Sequence, residues 1–90
     1  MPDKQFRFQD LEIWQRGAAL SRPLFVLADW LDEQNRYRFA EQLRKTTLSL
    51  TNNIAEGSGS ASNADFAAFL NFSRGSVFKA ANIPLVLSPE

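Results

Sequence analysis

Residues 36–56 read RYRFAEQLRKTTLSLTNNIAE, and their pattern decides the fold. Ala40, Leu43, Thr47, Leu50 and Ile54 recur at steps of three and four, the repeat of one face of an α-helix. A strand would alternate every second residue instead. Arg38, Glu41, Lys45, Asn52 and Glu56 fall on the opposite face. The spacing predicts a helix over 36–56 with one apolar seam of the kind a helical bundle buries. Gly57 follows as the residue that closes the helix at its C′ position.

Upstream, Asp32 to Asn35 read as a polar turn, and a first helix is expected over about 10–31. Asp10 suits its N-cap, and Glu12 stands in the first turn, where the helix dipole favours an anion. Leu11, Trp14, Ala18, Phe25 and Ala28 share one stripe, with Ile13, Leu20, Leu24, Leu27 and Leu31 beside it. Together these stripes cover about half the cylinder, more than one neighbouring helix buries. Pro23 removes the bond to the Ala19 carbonyl, so the helix is expected to kink there or divide in two.

Downstream, Gly57 to Ala61 form a flexible turn, and Ser62 with Asp65 resembles a capping box opening a third helix over about 63–82. Phe66, Leu70, Ser73 and Val77 lie on one stripe of it, Phe69 and Phe72 on another. Gly75 and Ser76 are small enough to permit close helix approach, and Pro84 is expected to stop the helix, leaving 83–90 as a tail. The expectation is one all-α domain over 1–90, an antiparallel up-and-down helical bundle of three helices. A fourth helix is missing or supplied by a partner, because three helices cannot cover every stripe. The seams at Leu24, Leu27, Leu31, Phe69 and Phe72 would then be covered by copies of the chain or by another protein.

Composition narrows the function. The 90 residues contain no cysteine and no histidine, which removes the usual nucleophile, general base and soft metal ligands. The carboxylates are too scattered for an oxygen-ligand metal site. Ser49, Asn53 and Glu56 lie on successive helical turns, yet nothing nearby activates the serine. Their structural reading has Asn53 bonding into the following turn and Glu56 reaching a cation or backbone donors. Gly57-Ser58-Gly59 lacks the strand before it and the Lys-Ser/Thr after it that a nucleotide-binding loop needs. An enzyme, a cofactor and a small-molecule substrate are therefore not expected. No secretory signal and no apolar run long enough to span a membrane is present, which suggests a cytoplasmic protein.

Ten basic side chains balance ten acidic ones, but unevenly along the chain. Residues 1–35 hold four basic and six acidic groups, whereas 36–45 hold Arg36, Arg38, Arg44 and Lys45 against Glu41 alone. This one basic patch reads either as a weak, salt-sensitive phosphate contact or as a solvated face opposite Asp29, Asp32 and Glu33. Trp14 and Trp30 could stack on bases, but core or subunit packing is the plainer reading of both.

Three motifs then appear in order. Phe8-x-Asp10-Leu11-x-Ile13-Trp14-Gln15, Ser49-x-x-x-Asn53-Ile54-Ala55-Glu56-Gly57, and Phe66-x-x-Phe69-Leu70 followed by Arg74-Gly75-Ser76 span roughly 6–78. Together they resemble the small four-helix bundle family encoded by intervening sequences of bacterial large-subunit ribosomal RNA genes. That family is similar to the accessory variability protein of diversity-generating retroelements. The resemblance implies a ring-forming bundle, typically a pentamer, without a catalytic site; for retroelement members it implies binding to a reverse transcriptase and to nucleic acid. The motif residues Asp10, Trp14, Ser49, Asn53, Glu56, Gly57, Arg74 and Gly75 would hold the bundle together.

The sequence also departs from the family pattern. The usually basic loop after Gly57 is uncharged from Gly59 to Ala64, and Thr51 stands where proline is common. Lys79 and Ala81 stand where acidic residues are common, and Pro84 falls where a fourth helix should follow. The functional expectation is a non-enzymatic oligomeric scaffold, an accessory protein that binds nucleic acid or a reverse transcriptase weakly. Its alternative is a purely structural self-associating bundle, or a degenerate truncated member with no ligand.

Overall fold

A computed structural model describes residues 6–87. Three helices follow a short 3₁₀ turn at Arg7–Asp10: α1, Glu12–Glu33; α2, Tyr37–Ser58; and α3, Asn63–Leu87. They run up, down and up, with no strand among the described residues. The all-α antiparallel bundle expected from the sequence is what the chain forms.

The decisive stretch reads as expected. Ala40, Leu43, Thr47, Leu50 and Ile54 are all buried, while Arg38, Glu41, Lys45, Asn52 and Glu56 are all exposed. Helix α2 is the centre of the molecule, and both α1 and α3 pack along it. Near one end the three helices close around a core of Ala28, Leu31, Ala40, Leu43, Ala80 and Ile83, with Leu24, Leu27 and Leu87 packed against it.

The α1–α2 turn follows from one residue in the left-handed region, Asn35 at φ 64°. Its N–H reaches the Asp32 carbonyl and that of Arg36 reaches the Leu31 carbonyl, both at 2.9 Å, which is the paired closure of a Schellman motif. At the start of α3, the Asp65 N–H donates to Ser62 Oγ at 3.1 Å, as the capping pattern suggested. The start of α1 differs from expectation. Asp10 ends the 3₁₀ turn and Leu11 holds the N-cap position without a side-chain bond. Glutamines fasten this turn instead: Gln9 Oε1 accepts from the Phe6 N–H at 2.8 Å, and Gln15 Nε2 donates to the Gln9 carbonyl at 2.9 Å.

Both Pro23 and Pro84 lie inside helices rather than at their ends. Helix α1 runs through Pro23 as one element, and α3 continues past Pro84 to Leu87 instead of stopping near 82. A proline inside a helix costs about 3 kcal/mol. At Pro84 that loss is offset by burial, because continued helix seats Ile83 in the core and Leu87 against it. The expected tail therefore belongs to α3 as far as Leu87; residues 88–90 lie outside the described range.

Neither motif glycine plays the part expected of it. Gly57 is helical and buried inside α2, and Gly59 holds the C-cap with a negative φ, so no left-handed glycine closes this helix. A Cβ on Gly57 would lie 2.7 Å from Phe69 Cβ and 2.8 Å from Phe66 Cδ1, so glycine is there to let α3 approach. Gly75, expected to do this, is exposed, and a Cβ added to it would meet nothing within 4 Å.

One side chain in the core works against stability. Thr47 is fully buried and its Oγ1 has no hydrogen-bond partner. Exchanging this hydroxyl for a methyl keeps the shape and removes a desolvated polar group. Thr47→Val is expected to stabilise the fold by about 1 kcal/mol, seen as a higher urea midpoint with an unchanged slope.

Candidate interaction surfaces

The basic patch at the start of α2 is smaller in space than in sequence. The Arg44 guanidinium turns back to α1 and donates to Asp29 at 2.6 Å and Asp32 at 2.7 Å. These hydrogen bonds, Asp29 first and Asp32 next, hold its pKa above the ordinary arginine value. Arg44 thus joins two helices, the role the acidic residues of α1 suggested for the patch. Arg36, Arg38 and Lys45 are exposed, and Glu33 makes no ion pair with them. The first turn of α2 contains no acidic residue, so its cations sit where the helix dipole disfavours them.

Ser49, Asn53 and Glu56 do not assemble into a reactive group. Ser49 Oγ donates to the Thr46 carbonyl at 2.8 Å and shares a 2.7 Å hydrogen bond with Ser76 Oγ across the α2–α3 contact. Asn53 Nδ2 donates back to the Ser49 carbonyl at 2.8 Å, one turn earlier, rather than into the following turn. Glu56 is exposed and paired with no cation among the described residues. Buried Ser73 donates to the Leu50 carbonyl at 2.7 Å. These hydroxyls hold α3 against α2: Ser76 sits at a close helix approach, as its small size suggested, and Ser73 adds a hydrogen bond that its stripe position did not reveal.

The aromatic motif residues also pack. The rings of Phe8 and Trp14 lie 5.4 Å apart and half-buried, and Phe6 stacks on Phe8, which ties the 3₁₀ turn to α1. Arg74 lies over the Phe78 ring at 5.7 Å on the exposed side of α3. A cleft of about 560 Å³ opens beside Arg7, Phe8 and Phe66 at the α2–α3 turn. Its serines are occupied with the helix ends: Ser58 donates to the Ala55 carbonyl, Ser60 to that of Gly57, and Ser62 caps α3.

The expected partner seam needs correction. Leu31 is inside the core, and Leu24 and Leu27 pack against that core, so this face of α1 is already covered within the chain. Phe69 is half-buried against Gly57 and meets Phe72 edge-on at 6.3 Å. Phe72 does face outward, 60 % exposed. Other outward apolar side chains are Val26 and Trp30, one turn apart on α1, Leu48 on α2, and Phe78, Leu85 and Val86 on α3; of these the sequence reading singled out Trp30 alone.

A second apolar surface is concave. Away from the closed end, α1 and α3 stand apart and leave a groove of about 370 Å³. Ile13 and Leu20 form one wall, Leu70 and Val77 the other, and Leu50 and Ile54 of α2 the floor. Gly17 is buried there, where a Cβ would meet Thr51 Cγ2 at 3.3 Å. Arg16 edges the α1 wall, Arg74 the α3 wall, and no carboxylate among the described residues lines the groove.

Among the described residues, no cluster of acidic side chains could hold a metal ion, and no helix is long and apolar enough to cross a membrane. A family model described as 23S rRNA-intervening sequence protein matches residues 9–87. No curated protein and no solved structure matches the chain significantly.

Proposed function

Because the chain belongs to the 23S rRNA-intervening sequence protein family, we propose that it is a non-enzymatic scaffold that acts by binding other macromolecules, copies of itself first. The observation behind this reading is the apolar surface left in water. Val26, Trp30, Phe72, Leu85 and Val86 are each more than half exposed in a chain of 90 residues. Apolar patches of this kind mark places where another surface docks. A ring of copies, in the manner of the related retroelement accessory proteins, would cover them, and a reverse transcriptase is the enzyme such a scaffold would accompany.

Weak nucleic-acid contact is the second part of the proposal. Arg36, Arg38 and Lys45 are exposed to meet phosphate, and an anion at the start of α2 would relieve cations placed against the helix dipole. The competing reading is a self-associating bundle with no ligand. It is favoured by Arg44 being engaged by α1 and by the uncharged loop from Gly59 to Ala64.

Light scattering after size exclusion, with and without a short RNA and at two salt concentrations, separates these outcomes. The scaffold reading expects a stable assembly of several copies, and a soluble monomer would refute it. Nucleic-acid contact through three cations expects a slope of log affinity on log salt of roughly −2 to −3. Arg38→Glu should then weaken the complex. A flat salt response would leave the ligand-free assembly.

A further inference from the structure

We propose that the outer face of α1 pairs with the same face of a second copy of the chain, antiparallel and about a two-fold axis. Trp30 of each copy then meets Val26 of the other, and Arg22 of each meets Glu33 of the other. This deepens the scaffold reading and rests on it, since it names one surface by which copies meet and the symmetry of the contact.

The face is distinct from the groove. At 3.6 residues per turn, Arg22, Val26, Trp30 and Glu33 lie within about 80° of one another on α1. They stand opposite Ser21, Ala28 and Leu31, which are buried. All four are exposed, Val26 by 67 % and Trp30 by 51 %, and none of them lines the groove. Ala19 and Pro23, on the same side, are also exposed, and their short side chains leave room for a neighbouring helix.

The pattern along this face is self-complementary, with an apolar pair in the middle, a cation before it and an anion after it. The midpoint between Val26 and Trp30 and that between Arg22 and Glu33 differ by about 1 Å at the helical rise. One antiparallel register therefore seats each tryptophan on the other copy's valine and closes two ion pairs at once. Parallel copies would set arginine against arginine and glutamate against glutamate. Within the chain, Arg16 and Arg44 have carboxylate partners, whereas Arg22 and Glu33 are in no ion pair among the described residues. Glu33 also stands in the last turn of α1, which holds no basic residue and where the helix dipole disfavours an anion. A cation arriving from outside is favoured there.

This symmetry commits the face to a second copy. Its two charges cancel, so the face offers no net sign for an acidic or a basic partner to read, but a two-fold axis matches each charge to its opposite. The contact spans about three helical turns, a small area, so the pair is weak and concentration-dependent. An isologous contact is satisfied by two copies. It joins two chains, or two larger assemblies, and does not itself propagate into a ring.

Sedimentation velocity of the full chain over about a hundredfold range of concentration reads the pairing. Arg22→Glu and Glu33→Arg should each weaken it at least about tenfold, because each reversal sets like charges together at both symmetry-related contacts. Mixed in equal amounts, the two variants should regain the parent's strength, since both ion pairs are then restored, one with its charges exchanged. Trp30→Ala should abolish the pair. The three positions are exposed, so the far-ultraviolet circular dichroism should not change. A mixture no stronger than either variant alone, or a Trp30→Ala chain that associates like the parent, would overturn the two-fold contact and leave the scaffold reading to the other apolar faces. A parent chain that is monomeric throughout would overturn both.

Discussion

Gly57→Leu is expected to lower the melting temperature by about 10–20 °C, from roughly 3 kcal/mol of overpacking in a domain of this size. The first added atom already falls 2.7 Å from Phe69 Cβ, an atom fixed by the α3 backbone, so rotating a side chain cannot relieve it. The ring of Phe66, 2.8 Å away, blocks a second direction. The helices must separate, and that separation strains the Ser49–Ser76 and Ser73–Leu50 hydrogen bonds nearby. Gly57→Ala should cost about 1–2 kcal/mol net, because alanine recovers about 1 kcal/mol of helix preference while still meeting the contact. Gly75 is the internal control. With open space around it, Gly75→Ala should stabilise the chain by about 0.5–1 kcal/mol, measured by thermal melting followed by circular dichroism. A Gly57→Leu protein that melts with the parent would refute the close-approach assignment.

Leu43→Ala should cost about 2–5 kcal/mol, a large part of the stability available to a small domain. Leu43 is fully buried on the central helix, in a cluster with Ala28 and Leu31 of α1 and Ala80 and Ile83 of α3. Its removal opens a void where all three helices meet, and the neighbouring alanines are too small to fill it. Leu48→Ala, five residues along the same helix but half exposed, should change stability by less than about 0.5 kcal/mol. Urea unfolding of the two variants, with scattering mass measured alongside, separates core from surface. If Leu43→Ala unfolded at the same midpoint as Leu48→Ala, the assignment of the core would be wrong.

What can be read from the sequence is what local periodicity determines. The α2 seam is five residues at helical spacing, and every one of them is buried. The Asp32–Asn35 turn is legible because asparagine tolerates the left-handed region that a Schellman closure needs. Pro84 misleads because the rule that proline ends helices is local, whereas Ile83 and Leu87 gain their burial from helices far away in sequence. Gly57 and Gly75 mislead for a related reason: which glycine faces a neighbour depends on how α3 lies against α2.

The candidate surfaces divide the same way. The basic patch is visible as a run of cations, but the capture of Arg44 by Asp29 and Asp32 depends on how α1 lies across α2. The groove has no signature of its own. Ile13, Leu20, Leu70 and Val77 read as ordinary core positions, and only the divergence of α1 from α3 leaves them unfilled.

The central position of α2 also bears on how quickly the molecule forms. Each outer helix packs on the element next to it in the chain, joined by a short turn, and α1 meets α3 only near one end. The loops to be closed are therefore short, and low contact order of this kind places folding in the microsecond-to-millisecond range. Either hairpin, α1–α2 or α2–α3, can form first and serve as the template for the remaining helix. Growing from the ribosome, α1 and α2 can pair before α3 has been made, and α3 then docks on a finished surface.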